Sequence, residues 1–347
     1  FLKFNTVIIE VGGGMEYKKH PEINRGWLNF LDMIVNKFPG GPQNFQWSDK
    51  YWKDSTHYEQ ARGQILPQEA LRDLVQYAKG LGLVVIPEIQ ALSHAYYLTL
   101  SHPEIAECPE DLFPDTYCPM NEESYKLYFD VAEEVISVFE PEIVSIGHDE
   151  IRIMGECPRC KDKTGHEILS YEINKLHDFY AERGIRIMMW CESCAPSASD
   201  SRYAIDRVDD YGRPYRMLRM NQALDTLPRD IIMLDWHHSV GHNTEEHYKA
   251  PGHEVWFGNF WGITFGNWDI RSKNVEGAEI STWCTPDEFT LGRNGVLFDM
   301  IFSSQIFWGN EYSDSIKQFS SLLKKFESVL PREQELCMSL FGPHRED

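Results

Sequence analysis

Positive charge is scarce in this chain: 33 Lys and Arg stand against 54 Asp and Glu, a formal net charge of −21 over 347 residues. Nucleic acids and anionic membrane surfaces are polyanions and need a basic footprint, so both are excluded as principal partners. A neutral ligand is not. Runs of about 18 apolar residues are also missing, which removes a transmembrane helix. Internal repeats, low-complexity stretches and obvious linkers are absent. The glycine-rich signature of a dinucleotide fold is not met either: Val11-Gly12-Gly13-Gly14 follows an early strand but lacks the G-x-G-x-x-G spacing, with no helical pattern directly behind it. No leader pattern is visible. The chain opens straight into Phe1-Leu2-Lys3-Phe4-Asn5 and a strand, so residues upstream are expected to be missing.

What is present is an ordinary globular composition, 42% hydrophobic and 25% charged. Short β-branched or apolar runs recur at Thr6–Val11, Leu83–Ile89, Ile143–Gly147, Ile185–Trp190, Ile231–Trp236, Glu254–Phe260 and Ala278–Trp283. They show little alternation, as strands buried on both faces of a parallel sheet do. Amphipathic stripes lie between them: Leu71, Leu74, Val75 and Ala78; Leu127, Val131, Val135 and Phe139; Leu169, Ile173, Leu176 and Tyr180. Each stripe is stopped by glycine or proline, at Gly80 and Gly82, Pro141 and Gly184 respectively. Alternating strands and helices predict an α/β fold, a (β/α)8 TIM-like barrel whose first strand lies upstream of or is missing from the chain. An open doubly wound sheet is the alternative. One catalytic barrel over residues 1–347 is expected, with C-terminal helices at about 287–330.

Barrel function collects at the C-terminal ends of the strands. Those ends carry Glu10; Glu88, with His94 a little further on; Gly147-His148-Asp149-Glu150; Trp190 and Glu192; Asp235, Trp236, His237 and His238; Asn259 and Trp261; and Trp283. Carboxylates transfer protons, polar groups meet hydroxyls, and indole faces stack on the C–H faces of a sugar. Core packing is the plain alternative for any one Trp. Asp149 and Glu150 are neighbours at a strand end, so their side chains diverge and suit two different tasks. A metal-binding or merely solvated acidic pair is the alternative for such a dipeptide taken alone. Cys157-Pro158-Arg159-Cys160 and Cys191-Glu192-Ser193-Cys194 are C-x-x-C pairs on two adjacent rim loops. Four thiolates there would hold one tetrahedral structural zinc beside Glu150, with His166 as a substitute ligand. Free or disulfide-linked thiols are the alternative.

Val144-Ser145-Ile146-Gly147-His148-Asp149-Glu150 resembles the strand-four motif of glycoside hydrolase family 20, the β-N-acetylhexosaminidases, His/Asn-x-Gly-Gly-Asp-Glu. Lys3-Phe4-Asn5-Thr6 is similar to the start of the family's second strand. Asp73–Ala78, Leu83–Glu88 and His94 resemble its next helix and third strand, which ends Pro-Glu-x-Asp-x-Pro-Gly-His. The resemblance implies a retaining exo-enzyme that removes terminal N-acetylglucosamine or N-acetylgalactosamine, using the sugar's own 2-acetamido group as nucleophile. Glu150 would be the acid and later the base, its pKa raised by the adjacent Asp149 charge. Asp149 would hold the acetamido N–H. Trp190, Trp236 and Trp283 would wall the pocket, with His94, Trp261, Asn259 and Glu10 as further substrate-binding residues. No cofactor is implied for catalysis. The implied partner is an oligosaccharide or glycoconjugate, and the setting secreted or periplasmic, with a cytoplasmic one open. Another sugar, a released disaccharide or a non-catalytic carbohydrate-binding barrel is the alternative. The sequence departs from the pattern in having His148 for the second Gly, Gln90 for the Asp and Leu92-Ser93 for Pro-Gly. The family's acetamido-binding Tyr has no clear match, and its strand-one Arg would lie upstream.

Overall fold

The structure is a computed structural model, and the residues it describes are 2–37, 65–111, 114–196, 201–208, 214–240, 243–262, 265, 267–283 and 296–309, with 321 and 324. The backbone groups into two compact units.

The larger unit comprises Asn5–Phe30 and Ile65–Trp256. Its strands are β1 (Thr6–Glu10), β2 (Val84–Ala91), β3 (Ile143–Gly147), β4 (Arg186–Trp190), β5 (Tyr203–Val208), β6 (Pro214–Leu218), β7 (Ile232–Asp235) and the first three residues of β8 (Glu254–Phe257). The main sheet runs β1-β2-β3-β4-β7-β8, with the pairs from β1 to β7 all parallel. Each strand is added beside its predecessor in one direction. A doubly wound sheet must reverse direction at a switch point, and none occurs among the described strands. Val11 to Gly14 is instead a short 3-10 turn in which Gly13 lies against Trp27; a Cβ on Gly13 would come within 2.8 Å of the indole.

The helices between the strands are α1 (Pro21–Lys37), α2 (Gln68–Gly80), α3 (Glu122–Phe139) and α4 (Gly165–Ala181). The expected stripes of α3 and α4 are buried throughout. In α2, Leu71, Val75 and Ala78 are buried but Leu74 is 47% exposed. Positions 71, 75 and 78 follow the helical repeat and share one face, while Leu74 falls on its flank. Asn121 caps α3 by accepting from the Glu123 N–H, and Thr164 with Glu167 forms a capping box on α4. Glu140, in left-handed conformation, ends α3 just before Pro141.

Burial on β2, β3, β4 and β7 is nearly complete, which accounts for their unbroken apolar reading. The β5–β6 pair is antiparallel and stands outside the main sheet, inserted between β4 and β7. Its residues are half-polar and gave no strand signal. No helix among the described residues is long and apolar enough to cross a membrane.

The smaller unit contains Phe1–Phe4, Leu31–Gln64 and Phe257–Asp347. Phe257, the last residue of β8, accepts a hydrogen bond from the Glu279 N–H, which follows β9 (Gly277–Ala278). Of the expected strand at Ala278–Trp283 only this short piece forms. The core joins Phe257, Phe260, Phe265 and Trp268 to Phe302 and Ile306 of a helix at Val296–Gly309. That helix falls within the C-terminal helical span expected at 287–330, the remainder of which lies outside the described residues apart from 321 and 324.

One backbone position dominates this architecture. Gly147 ends β3 with φ +70°, and a Cβ there would lie 1.7 Å from the Gln90 side-chain oxygen. Gly147→Ala is therefore expected to lower unfolding stability by about 1–3 kcal/mol, read as a shift in urea midpoint at unchanged m-value.

Candidate active site

The chain turns sharply after β3. Gly147, His148 and Glu150 have φ of 70°, 76° and 48°. L-residues with side chains seldom adopt this region, and non-glycine examples concentrate at functional sites. His148 thus occupies a glycine-like conformation, which reconciles it with the second Gly of the family motif. Its ring is fully buried, with Nδ1 3.1 Å from the Ile146 carbonyl oxygen, and burial pushes its pKa down to about 4. At neutral pH it is an uncharged packing group.

The turn separates the two acids. Asp149 is buried; Glu150 keeps 41% of its side chain exposed. Asp149 Oδ1 accepts from Gln90 Nε2 at 3.2 Å, and Oδ2 lies 3.1 Å from His94 Nε2. The same His94 nitrogen is 3.6 Å from Glu150 Oε2, so one imidazole faces both carboxylates. Burial opposes a charge on His94, but Asp149, with Glu150 and Asp115 adding to it, overrides that and pushes the pKa up to about 10. His94 is a buried cation facing both carboxyl groups. Leu92, where the family pattern has Pro, and His94, at the pattern's own His, both have left-handed φ, 65° and 48°.

Behind these groups lies a buried carboxylate, Glu88. Its Oε2 accepts from Ser145 Oγ at 2.7 Å and Trp190 Nε1 at 3.2 Å, and its Oε1 from Gln90 Nε2 at 3.2 Å. Gln90 therefore donates to Glu88 and Asp149 together. Trp190, expected in the pocket wall, is buried and bonded into this cluster.

Glu192 was visible in the sequence only as an acid near a strand end. In the structure its Oε1 accepts the Glu150 backbone N–H at 2.6 Å and its Oε2 accepts Trp236 Nε1 at 2.9 Å. It thus fixes the acid's backbone and the indole at once. Burial, reinforced by the Asp149 charge, pushes its pKa up to about 8 against the pull of those two N–H donors. Glu150, Glu192, Trp236 and His237 line a cleft of about 290 Å³ whose far wall includes Ile205 and Met217 of the β5–β6 hairpin. Its size suits a monosaccharide better than a long chain bound in full. Glu10 is exposed at the end of β1, in register with Glu88.

Asn259, Trp261 and Trp283 belong to the smaller unit. Trp283 Nε1 donates to Asn259 Oδ1 at 3.0 Å, and the Asn259 N–H donates to Glu279 Oε1 at 2.7 Å. Asn259 is left-handed, with φ 48°. Burial raises Glu279 to about 7 despite bonds from Asn259 and Ser281.

The expected four-cysteine zinc set is corrected. Cys157 and Cys160 do not meet Cys191 and Cys194; they face Cys118, at Sγ–Sγ distances of 3.4 and 3.6 Å. The C-x-x-C thiols turn toward the loop after β2, while Gly155, Glu156 and Lys161 of the same loop bond to Arg202, just before β5, and to Tyr203 and Arg216 of the β5–β6 hairpin. Cys191 instead donates its thiol to the Leu234 carbonyl at 3.1 Å, and Cys194 ends a short buried turn. His166 lies at the start of α4, with Nε2 3.4 Å from Thr164 Oγ1.

A half-exposed carboxyl group lining a cleft, next to a buried one, at the strand ends of a partial (β/α)8 barrel is compatible with a glycoside hydrolase catalytic domain. Comparison with known proteins gives the family. Residues 42–289 match "Glycosyl hydrolase family 20, catalytic domain", and the chain belongs to that family. A β-hexosaminidase from Porphyromonas gingivalis is 31% identical over 153 residues, covering 38% of this chain and 20% of that protein. One from Akkermansia muciniphila is 28% identical over 141 residues, covering 36% and 29%. The chain thus spans less than a third of the length of these relatives. Among solved structures, an inactive mutant of an exo-β-N-acetylglucosaminidase from Vibrio harveyi superposes with a TM-score of 0.58 at 16% identity, over 96% of this chain and 59% of that one. A chitobiase from Flavobacterium johnsoniae gives 0.58 at 16%, over 98% and 53%. At such identity the likeness concerns the fold.

The His94 cation sets a pH dependence of stability. Its folded pKa, about 10, lies above the ordinary histidine value of 6.5. Its contribution is therefore complete below about pH 6.5 and is lost as pH rises through 10. In His94→Gln the decline in urea-unfolding free energy over that interval should flatten; an unchanged slope would show that His94 is not the titrating group.

Proposed function

We propose that this chain is the catalytic domain of a retaining exo-β-N-acetylhexosaminidase working by substrate-assisted catalysis. The observation that carries the proposal is the unequal placement of two adjacent acids around one histidine. Glu150 reaches the cleft, while Asp149 is buried and held by Gln90 and His94. A group that exchanges protons with a leaving group and then with water has to meet solvent. A group that holds and charges a substrate amide does better rigid and dry.

In this reading Glu150 protonates the glycosidic oxygen as the C1–O bond breaks. The carbonyl oxygen of the sugar's 2-acetamido group attacks C1 and closes an oxazolinium ring. Asp149 accepts the acetamido N–H and stabilises the positive charge that develops there. Glu150, now a carboxylate, takes a proton from the water that reopens the ring, and configuration is retained over two inversions. Trp236 presents an indole to the sugar, oriented by Glu192. His94 positions Asp149. The names of the matched relatives support a terminal N-acetylhexosamine as the substrate.

A chromogenic N-acetyl-β-glucosaminide tests this. Glu150→Gln should lower kcat by about 10³-fold or more, since general acid–base help is worth 10²–10⁴, with KM little changed. Asp149→Asn should cost about 10²-fold. Hydrolysis untouched by that change would sink the substrate-assisted mechanism, and turnover only of sugars without an acetamido group would replace it with another glycosidase.

Glu192 gives a separate check. Glutamine there still accepts from the Glu150 N–H but turns its NH2 toward Trp236, so the indole N–H loses its acceptor. The kcat/KM should fall by about tenfold, and an inflection near pH 8 expected in the pH–rate profile of the unmutated protein should be missing from the variant.

A further inference from the structure

The thiol cluster beneath the catalytic loop has no part in the chemistry above. We infer that Glu107, Cys118, Cys157 and Cys160 form a closed tetrahedral site for a structural zinc(II) ion, one ligand atom from each.

The four ligand atoms lie within 4.8 Å of one another, and all four residues are buried. A tetrahedron with Zn–S bonds of about 2.3 Å has sulfur–sulfur edges of about 3.8 Å. The observed edges from Cys118, 3.4 and 3.6 Å, need only a slight expansion to admit the ion. They are far from the roughly 2.05 Å of a disulfide, and all three cysteines are free. Thiols are poor hydrogen-bonding groups, so mutual attraction does not account for gathering three of them.

The carboxylate supplies the independent observation. Glu107 is 1% exposed. Its Oε1 is fully used, accepting the N–H groups of Gly155, Glu156 and Cys157 at 2.9, 2.8 and 3.0 Å. Its Oε2 is buried without a hydrogen-bond partner, and a carboxylate oxygen of Glu107 belongs to the same cluster as the sulfurs. A buried carboxylate oxygen left unpaired costs several kcal/mol in general, and a cation at the cluster centre removes that cost. Three sulfurs and one oxygen suit zinc; magnesium and calcium prefer all-oxygen shells. Four protein ligands leave no open position, which makes the site structural.

The surrounding backbone is built to present these groups. An antiparallel bridge pairs Ala106 with Tyr117, with the Glu107 N–H donating to the Thr116 carbonyl and the Cys118 N–H to the Ile105 carbonyl, so Glu107 and Cys118 flank the bridge diagonally on one face. The Cys160 and Lys161 N–H groups both donate to the Cys157 carbonyl, closing the C-x-x-C turn. Binding forms three Zn–S bonds and one Zn–O bond and releases the thiol protons to water, with no change of oxidation state. The ion would tie the loop after β2, which carries His94, to the loop after β3, which carries Asp149 and Glu150. The Arg152–Asp115 ion pair, at 2.8 Å, joins the same two loops.

The whole chain, purified without chelator or metal-affinity steps, should contain about one zinc per molecule by mass spectrometry. Zinc X-ray absorption on the unmutated protein should give three sulfur neighbours and one oxygen, a readout independent of any variant's folding. Cys118→Ser and Cys160→Ser should lose most of the metal, while Cys194→Ser keeps it. Chelation should lower the Tm of the unmutated protein by several degrees, and added zinc should restore it. The inference is overturned if the protein holds under about a tenth of an equivalent and added zinc fails to shield Cys118, Cys157 and Cys160 from alkylation. A disulfide between any two of them in peptide maps overturns it equally.

Discussion

The sharp turn at the end of β3 is the constraint on which the rest of the site depends. A strand that ended in relaxed geometry would send Asp149 and Glu150 to opposite faces. Left-handed backbone at Gly147, His148 and Glu150 instead lets both acids face His94 while only Glu150 reaches the cleft. Each non-glycine residue in that region carries a cost of about 1–2 kcal/mol, so the surroundings must hold it in place. They do so from three sides. Gln90 packs on Gly147 and donates to Asp149; Glu192 accepts the Glu150 N–H; His148 is sealed in the interior.

Electrostatics follow from the same turn. Glu88, Asp149, Glu150 and Glu192 crowd four carboxyl groups into one end of the sheet. The His94 cation answers two of them directly, Glu88 is bonded by Ser145, Gln90 and Trp190, and Glu192 is pushed toward its neutral form. Each acid is thus assigned a different charge state or partner by its surroundings. That division lets adjacent carboxyl groups do different work without mutual repulsion unfolding the turn.

The departures from the family pattern have structural counterparts. His148 replaces a glycine and keeps left-handed backbone, whereas Leu92, with φ 65°, stands where the pattern has proline, whose ring holds φ at about −65°, so the chain path differs there. Gln90 replaces an Asp and contributes a donor where the family has an acceptor, and this suits a position flanked by the carboxylates of Glu88 and Asp149.

The sequence by itself determined the alternation of strands and helices, the buried stripes of α3 and α4, the strand-end position of Asp149-Glu150 and the family they resemble. These are local properties, carried by apolar periodicity and by a short contiguous motif. The β5–β6 hairpin gave no such signal, because its strands are half-polar and lie outside the sheet. Only tertiary structure decided that Trp190 turns inward to Glu88 while Trp236 faces the cleft, since two indoles at strand ends read alike in one dimension. The same holds for Glu192, whose importance lies in a hydrogen bond to a residue 42 positions away. It holds for the cysteines too: spacing pairs Cys157 with Cys160, but the loop path, not the motif, chose Cys118 and Glu107 over Cys191 and Cys194. The adjacency of Asp149 and Glu150 was written in the chain. Their division of labour was not, for it comes from which of the two the folded turn leaves exposed.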